Sequence, residues 1–234
     1  MNLASIPANS PLYSRDHWTA AIMEHEHTWA EDECEIHEAI QANNRAAFKD
    51  IYDYYKVTRT LNANPTIRSQ LLDEVYAVRL KGTNGKERLK SFAKNVERIA
   101  CTIGELQPNN GRPISAVSKL LVHLHPTDGF IYDTNARKTV NRILGTPTKI
   151  DGLEKFQAFA QDYLNLFCQL KAHLETHLNG QKGTLFPTLI VDKFLWLQGT
   201  KNPSTKVRRL IRNASRSHTK QASEITRWLN EHSN

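Results

Sequence analysis

The sequence predicts an all-α fold, a compact multi-helix domain of about eight to ten helices. Its apolar residues recur at intervals of three and four, which is the period of the α-helix, and no stretch shows the alternation typical of a half-buried strand. Clusters of glycine, proline and asparagine separate the periodic stretches. With 234 residues, 39% of them hydrophobic and 24% charged, the chain is long enough to bury a substantial core.

Charge is distributed unevenly along the chain. Residues 1–55 contain ten Asp or Glu and three Lys or Arg, whereas residues 56–234 contain 28 Lys or Arg and 14 Asp or Glu. We therefore expect an acidic N-terminal helical segment, residues 1–60, packed on a basic all-α domain, residues 61–234. A basic surface of this size favours a polyanion such as DNA, because each neutralised phosphate releases counterions. A basic protein without such a partner is the alternative.

The N-terminal elements are predicted to be helical. Residues 18–55 indicate about two or three helices with an exposed acidic face. The potential metal ligands of this region are His25, His27, Cys34 and His37. They lack the paired spacing of a zinc site, so we expect no metal, and no other cofactor is indicated. Pro65 suits the first turn of the next helix, and a further apolar face follows at residues 92–103.

The C-terminal half predicts a long amphipathic helix over residues 156–174 and a buried helix over residues 186–197, which is apolar nearly all round. A carboxylate in such a helix, Asp192, must be hydrogen-bonded, paired with a cation, or shifted in pKa. The next segment is basic, with apolar residues among its cations, and predicts a docked helix with a basic outer face. Its cations are Lys201, Lys206, Arg208, Arg209, Arg212, Arg216 and Lys220.

Compartment is predicted from the cysteines and from hydropathy. Cys34, Cys101 and Cys168 are odd in number and far apart, which argues against a disulfide framework and for the cytoplasm. The N-terminus has no basic segment followed by an apolar core, so no secretory signal is expected. No apolar run approaches the roughly 20 residues that span a bilayer, so no membrane partner is expected.

A central unit at residues 111–144 begins with a polar turn and an amphipathic helix. The apolar stripe of this helix consists of Ile114, Val117, Leu120, Leu121 and Leu124. Small residues near its start, Ser115 and Ser118, would allow a nucleic-acid backbone to approach. Helix N-termini present unpaired amides and a positive dipole end, so the preceding turn at residues 110–113 is a candidate phosphate site.

The second helix of the unit is basic and begins after Asp133. Its inward face is predicted at Ala136, Val140, Ile143 and Leu144. Arg137, Lys138 and Arg142 remain on the outer face, where they indicate a DNA-binding surface. Asp133 is well placed as an N-cap, and a capping carboxylate can still direct its second oxygen into a cleft.

This arrangement resembles the catalytic segment of the helix-hairpin-helix DNA glycosylase superfamily. The matching residues are the turn at residues 110–113, the helix at residues 114–125, the approach at residues 130–132, and Asp133. In that family a glycine-rich hairpin binds the DNA backbone, and the aspartate serves the glycosidic chemistry. The resemblance implies a helix-hairpin-helix-like central unit with Asp133 as the catalytic carboxylate.

Two departures from the family pattern bear on the reaction. Pro113 or Ile114 stands where the hairpin usually has a second glycine, and Ser115 stands where bifunctional members have a catalytic lysine. The nearest lysine is Lys119, one turn further along, where it is not expected to point the same way. The resemblance therefore implies a monofunctional glycosylase, which removes a base without an imine-forming lyase step.

We expect a DNA glycosylase that acts on a damaged or modified base, either in housekeeping repair or against the modified bases of phage DNA. The predicted DNA-binding residues are Asn110, Gly111, Arg112, Ser115, Ser118, Lys119, Arg137, Lys138 and Arg142. The predicted base pocket contains Tyr132, Asp192, Phe194 and Trp196. No obligate protein partner is expected. The alternatives are a non-catalytic DNA-binding protein with the same fold, and a helical interaction module whose acidic and basic ends pair.

Overall fold

The computed structural model describes residues 14–28, 33–55, 64–109, 111–145, 152–178 and 186–216, and within these ranges the chain is helical and has no strand. The α-helices are α1 (Arg15–Thr28), α2 (Cys34–Gln41), α3 (Phe48–Tyr54), α4 (Pro65–Tyr76), α5 (Gly85–Glu105), α6 (Ile114–Leu124), α7 (Thr134–Leu144), α8 (Gly152–Leu178), α9 (Pro187–Gly199) and α10 (Pro203–Arg216). The predicted all-α fold is confirmed. None of these helices combines the length and the apolarity that crossing a membrane requires.

Polar side chains begin the helices where the sequence offers them. Asn64 accepts a hydrogen bond from a first-turn amide of α4, and Pro65 occupies that first turn. Asn84 accepts from the amide of Glu87 at 3.0 Å and so caps α5. These acceptors satisfy amides that have no partner within the helix. The beginnings of α4 and α5 are therefore encoded locally.

Helix α9 is the most enclosed element described, and α1, α7, α8 and α10 pack around it. It is buried on nearly every side, which confirms the burial predicted for this stretch. Trp18 of α1 stacks on Phe194 of α9 with ring centres 3.9 Å apart and planes 8° from parallel. The acidic N-terminal residues thus contribute directly to the packing of the central helix.

A second part of the core holds the loop between α6 and α7. Phe130 in this loop is fully buried. The rings around it come from α5 and α8 and belong to Phe92, Phe156, Phe159 and Tyr163. Because Phe130 lies three positions before Asp133, its burial anchors the approach to α7.

Helices α7 and α9 cross closely near the start of α7. The Thr139 hydroxyl donates to the carbonyl oxygen of Leu195 at 2.7 Å. A Cβ atom at Gly199 would overlap the carbonyl oxygen of Asn135, so the close approach requires glycine there. This crossing brings one face of α9 against the first turn of α7.

Candidate active site

Asp133 is the N-cap of α7, as the sequence predicts. It has extended backbone angles, and its Oδ1 atom accepts a hydrogen bond from the amide of Ala136 at 2.7 Å. The side chain is half-buried. Because the cap uses Oδ1, the second carboxylate oxygen takes no part in it.

Ser118 holds the residue that precedes Asp133. Its hydroxyl donates to the carbonyl oxygen of Ser115 at 3.0 Å and accepts from the amide of Tyr132 at 3.1 Å. The Ser118 side chain is fully buried. This internal role takes the place of the phosphate contact predicted from its small size, because α6 turns Ser118 toward the loop and away from solvent.

The turn before α6 is stabilised by its own polar groups. The amide of Gly111 donates to Asn109 Oδ1 at 3.0 Å, and the side chain of Gln107 donates to the carbonyl oxygen of Gly111. Arg112 is exposed, and α6 begins after Pro113 without a side-chain cap. Asn110 lies outside the described residues.

Lys119 is half-buried and lies close to the ring of Tyr55. Its Nζ atom lies 5.3 Å from the centre of the Tyr55 ring, within cation–π range. Burial lowers the pKa of Lys119, and the nearby carboxylates of Asp133 and Asp192 only partly offset that effect. The ammonium group therefore interacts electrostatically with both carboxyl groups, while its closest described contact is the ring of Tyr55. The sequence analysis assigned Lys119 to contacts with the DNA backbone. It did not predict that the ammonium group lies near the ring of Tyr55.

Asp192 lies in the buried face of α9 and is 6% exposed. Burial raises its pKa well above the ordinary value, and the charge of Asp133 adds to the rise, while Lys193 and Lys119 act against it. Of the three outcomes expected for a carboxylate in this apolar helix, the structure has the shifted pKa.

Glu33 forms the centre of a buried polar cluster next to this site. Its Oε1 atom is 2.7 Å from Lys193 Nζ, and the hydroxyls of Tyr54 and Tyr55 donate to it at 3.2 and 3.4 Å. Burial acts to raise the pKa of Glu33, but Lys193 outweighs it, and the pKa is lowered. The hydroxyl of Tyr55 also lies 3.0 Å from His123 Nε2.

Sequence reasoning missed this cluster because its members are far apart in the chain. Glu33 and Lys193 are separated by 160 positions. One local signal was present: Lys193 follows Asp192 directly, so an otherwise apolar helix carries two adjacent charged residues. Adjacent charges in a buried helix need partners from other elements.

The predicted pocket aromatics have different environments. Tyr132 is half-buried and packs edge-on against Phe156 and Phe159, with ring centres 5.3 and 5.2 Å apart. Trp196 is half-buried, with Lys206 Nζ 3.3 Å from its ring centre. Phe194 is fully buried against Trp18, so its prediction as a pocket wall is wrong. The all-round apolar pattern of α9 could not show which of its rings faces the core.

Cations lie on the outer faces of α7 and α10. Lys138 and Arg142 are exposed on α7, and Arg142 Nη1 also donates to the carbonyl oxygen of Gln198 at 3.0 Å. Arg137 is half-buried. The exposed cations of the α10 region are Lys201, Arg208, Arg209 and Arg212. Arg142 connects α7 to the end of α9, immediately before α10, so these cations belong to neighbouring surfaces.

These features define an all-helical protein in which Lys119 and Asp192 interact electrostatically with Asp133, the residue that caps α7. Comparisons of the chain with protein-family models, with curated proteins and with solved structures found no match. Within the described ranges, no group of three or more His, Cys, Asp or Glu side chains is arranged to hold a metal ion. The chemistry open to the site must therefore be argued from its own side chains.

Proposed function

We propose that the protein is a monofunctional DNA glycosylase that hydrolyses the N-glycosidic bond of a damaged or modified base. The observation that carries this proposal is the position of Asp133. Its carboxylate caps α7 with one oxygen, is half-buried, and interacts electrostatically with Lys119 and Asp192. The resemblance of residues 110–144 to the helix-hairpin-helix glycosylases supports the same role.

The reaction requires a carboxylate in such a position. Cleavage of an N-glycosidic bond generates oxocarbenium character at the sugar, which a nearby negative charge stabilises. The same carboxylate accepts a proton from the attacking water. The target base must first leave the stack and enter a pocket. Tyr132 and Trp196, both half-buried, are the aromatic candidates for that pocket.

DNA binding is assigned to exposed cations around this site. Arg112 lies at the turn before α6, and Lys138 and Arg142 lie on the outer face of α7. The exposed cations of α10 extend the basic surface. Phosphate contacts of this kind give affinity without base specificity and position the duplex. We place the enzyme in the cytoplasm, in repair or in defence against phage DNA with modified bases.

The proposal is tested by incubating the protein with DNA that carries damaged bases or phage-type modified bases, such as glucosylated hydroxymethylcytosine. The products to measure are released base and alkali-labile abasic sites. We expect both with the unmodified protein, and a loss of at least about 100-fold in Asp133→Asn, because an amide cannot stabilise the cation or accept the proton. Asp128→Asn is the matched control, since Asp128 pairs with Arg88 outside the site.

The outcomes separate the competing functions. Base release that is equally fast in Asp133→Asn would refute the catalytic assignment. DNA binding without base release from any substrate would favour a non-catalytic DNA-binding protein. Strand cleavage without alkali, with a borohydride-trapped adduct that Lys119→Gln abolishes, would contradict the monofunctional reaction.

A further inference from the structure

Polar side chains on one side of α7 donate hydrogen bonds to the end of α9. Asn135, Thr139 and Arg142 follow each other at intervals of four and three, so they share a side of the helix. The Thr139 hydroxyl donates to the carbonyl oxygen of Leu195 at 2.7 Å, and Arg142 Nη1 donates to that of Gln198 at 3.0 Å. The last carbonyl groups of a helix have no partner within it, so α7 supplies contacts that α9 leaves open.

Asn135 joins the first turn of α7 to two groups of α9. With its amide oriented to satisfy both, Asn135 donates to the carbonyl oxygen of Gly199 at 3.0 Å and accepts from Trp196 Nε1 at 3.3 Å. The two backbones also touch here, because a Cβ atom at Gly199 would overlap the carbonyl oxygen of Asn135. Asn135 lies two positions after Asp133, so the residue that caps α7 is close in the chain to the point where α7 is held on α9.

The chain is held on both sides of Asp133. Before it, the amide of Tyr132 donates to the hydroxyl of Ser118 at 3.1 Å. After it, Asn135 bonds to α9, and Thr139 bonds to the same helix one turn later. Contacts at two successive turns oppose both rotation and sliding of α7 against α9. The position of the Asp133 carboxylate relative to α9 is therefore determined by these side chains.

We propose that Asn135 and Thr139 are positioning residues that set the distance between the Asp133 carboxylate and the ring of Trp196, an inference that rests on the proposed glycosylase function. Trp196 is one of the aromatic candidates for the base pocket, and Asn135 holds its Nε1 atom. A base held against this ring then has its glycosidic bond at a fixed place relative to the carboxylate. Asn135 and Thr139 act through Asp133 and Trp196, and not on the reacting atoms.

A positioning role affects the rate of base release and leaves DNA affinity unchanged. A misplacement of about 1 Å between reacting groups can slow a reaction by about 100-fold. Asn135 and Thr139 are uncharged, and Thr139 is fully buried, so neither contributes to the attraction of phosphates that governs affinity. Arg142 is left unaltered in the tests, because the proposed function also gives it a phosphate contact.

The first test is single-turnover base release at saturating protein from the same panel of modified duplexes. Thr139→Val, which keeps the shape and removes the hydroxyl, and Asn135→Ala should each be slower by about 10-fold or more with unchanged DNA affinity. Thr139→Ser, which keeps the hydroxyl, should restore most of the rate. Circular dichroism establishes that each variant is folded.

Tyr76→Phe is the matched control for these variants. It removes another hydrogen bond from a hydroxyl to a carbonyl oxygen, that of Tyr76 to Ile40 at 3.0 Å, which joins α4 to α2. This control should keep the rate of the unmodified protein. If Thr139→Val and Asn135→Ala release base as fast as Tyr76→Phe, or lose DNA affinity with an unchanged rate, the inference is overturned while the glycosylase function stands.

The second test does not depend on turnover and uses nuclear magnetic resonance of the full chain without DNA. The indole resonance of Trp196, identified by its loss in Trp196→Phe, should shift in Asn135→Ala. Hydrogen exchange of the Ala136 amide, which donates to Asp133, should speed up in Thr139→Val. Tyr76→Phe should change neither signal.

The outcomes of the two tests are distinguishable. An unchanged indole resonance in Asn135→Ala, or unchanged exchange of the Ala136 amide in Thr139→Val, would overturn the positioning role even for an active glycosylase. If the unmodified protein releases no base from any substrate, the proposed function fails, and the positioning role in that reaction fails with it.

Discussion

Asp133 caps α7 and also carries a negative charge. Different substitutions can remove the charge alone or the charge together with the cap. Its Oδ1 atom satisfies an amide of the first turn of α7, a role that any short polar acceptor can take. The negative charge that the proposed reaction needs beside the sugar requires a carboxylate. The capping prediction followed from a local pattern, an aspartate directly before a helical period. The position of Lys119 near the ring of Tyr55 depended on tertiary contacts between distant parts of the chain.

We expect Asp133→Asn and Asp133→Ala to differ in stability. Asparagine is about as good an N-cap as aspartate, so Asp133→Asn should leave the free energy of unfolding within a few tenths of a kcal/mol, on the order of measurement error. Asp133→Ala should lose about 1 kcal/mol. Urea denaturation at pH 7 measures both. Equal losses in the two variants would show that the charge, and not the cap, stabilises α7.

At the scale of elements, α10 was predicted as a docked helix with a basic outer face, and the structure confirms the docking. Val207 is buried, and Leu210 and Ile211 pack against the core. Arg208 and Arg212 remain exposed, one turn apart. Lys206 differs from them, because its ammonium group lies on the ring of Trp196, 3.3 Å from the ring centre. Amphipathic spacing predicted the buried and the basic face of α10. Only the tertiary packing showed that Lys206 lies on the ring of Trp196.

The basic face of α10 should determine part of the salt dependence of DNA binding. We expect the double variant Arg208→Gln, Arg212→Gln to lower the slope of log K against log salt by about 1 for each phosphate that the protein no longer neutralises. Fluorescence anisotropy with a labelled duplex at several salt concentrations measures this slope. Lys90→Gln, Lys94→Gln on α5 is the control, with the same change of charge at exposed positions. An equal change of this slope in both double variants would indicate long-range attraction by the whole basic surface instead of direct phosphate contacts by α10.

At the scale of the whole molecule, the buried polar cluster joins distant parts of the chain. Glu33 pairs with Lys193, and Tyr55 connects Glu33 to His123 on α6. Burial lowers the pKa of both His25 and His123 to about 4. These histidines are neutral in the folded protein and must take up protons in the unfolded chain below their ordinary pKa. The cluster therefore makes stability depend on pH.

The sign of this dependence follows from the directions in which burial shifts the pKa values of these groups. Between pH 6.5 and about 4, the unfolded chain binds more protons at His25 and His123 than the folded protein does, so the free energy of unfolding falls as pH falls. Asp192, whose pKa is raised, acts in the opposite direction over the same range, because its proton is held in the fold. Burial also lowers the pKa of His17 and His125, which adds to the effect of His25 and His123, so the free energy of unfolding should fall as pH falls through this range.

Urea denaturation at pH 7, 5.5 and 4.5 checks this expectation. His123→Gln should flatten the dependence, because it removes one proton-binding difference, and Asp192→Asn should steepen it. His27→Gln is the control, since His27 is exposed on the same helix as His25. A slope that none of the three variants changes would mean that other groups control the pH dependence.

The sequence by itself determined the helices, the cap at Asp133 and the burial of α9, because apolar periodicity and first-turn hydrogen bonds involve residues only a few positions apart. Only the tertiary structure decided that Lys119 lies near the ring of Tyr55, that Ser118 is internal, and that Glu33 meets Lys193 across 160 positions. These contacts arise where helices cross. The crossing of α7 and α9 depends on shape complementarity over whole faces, including the space left by Gly199, and no local pattern carries that information.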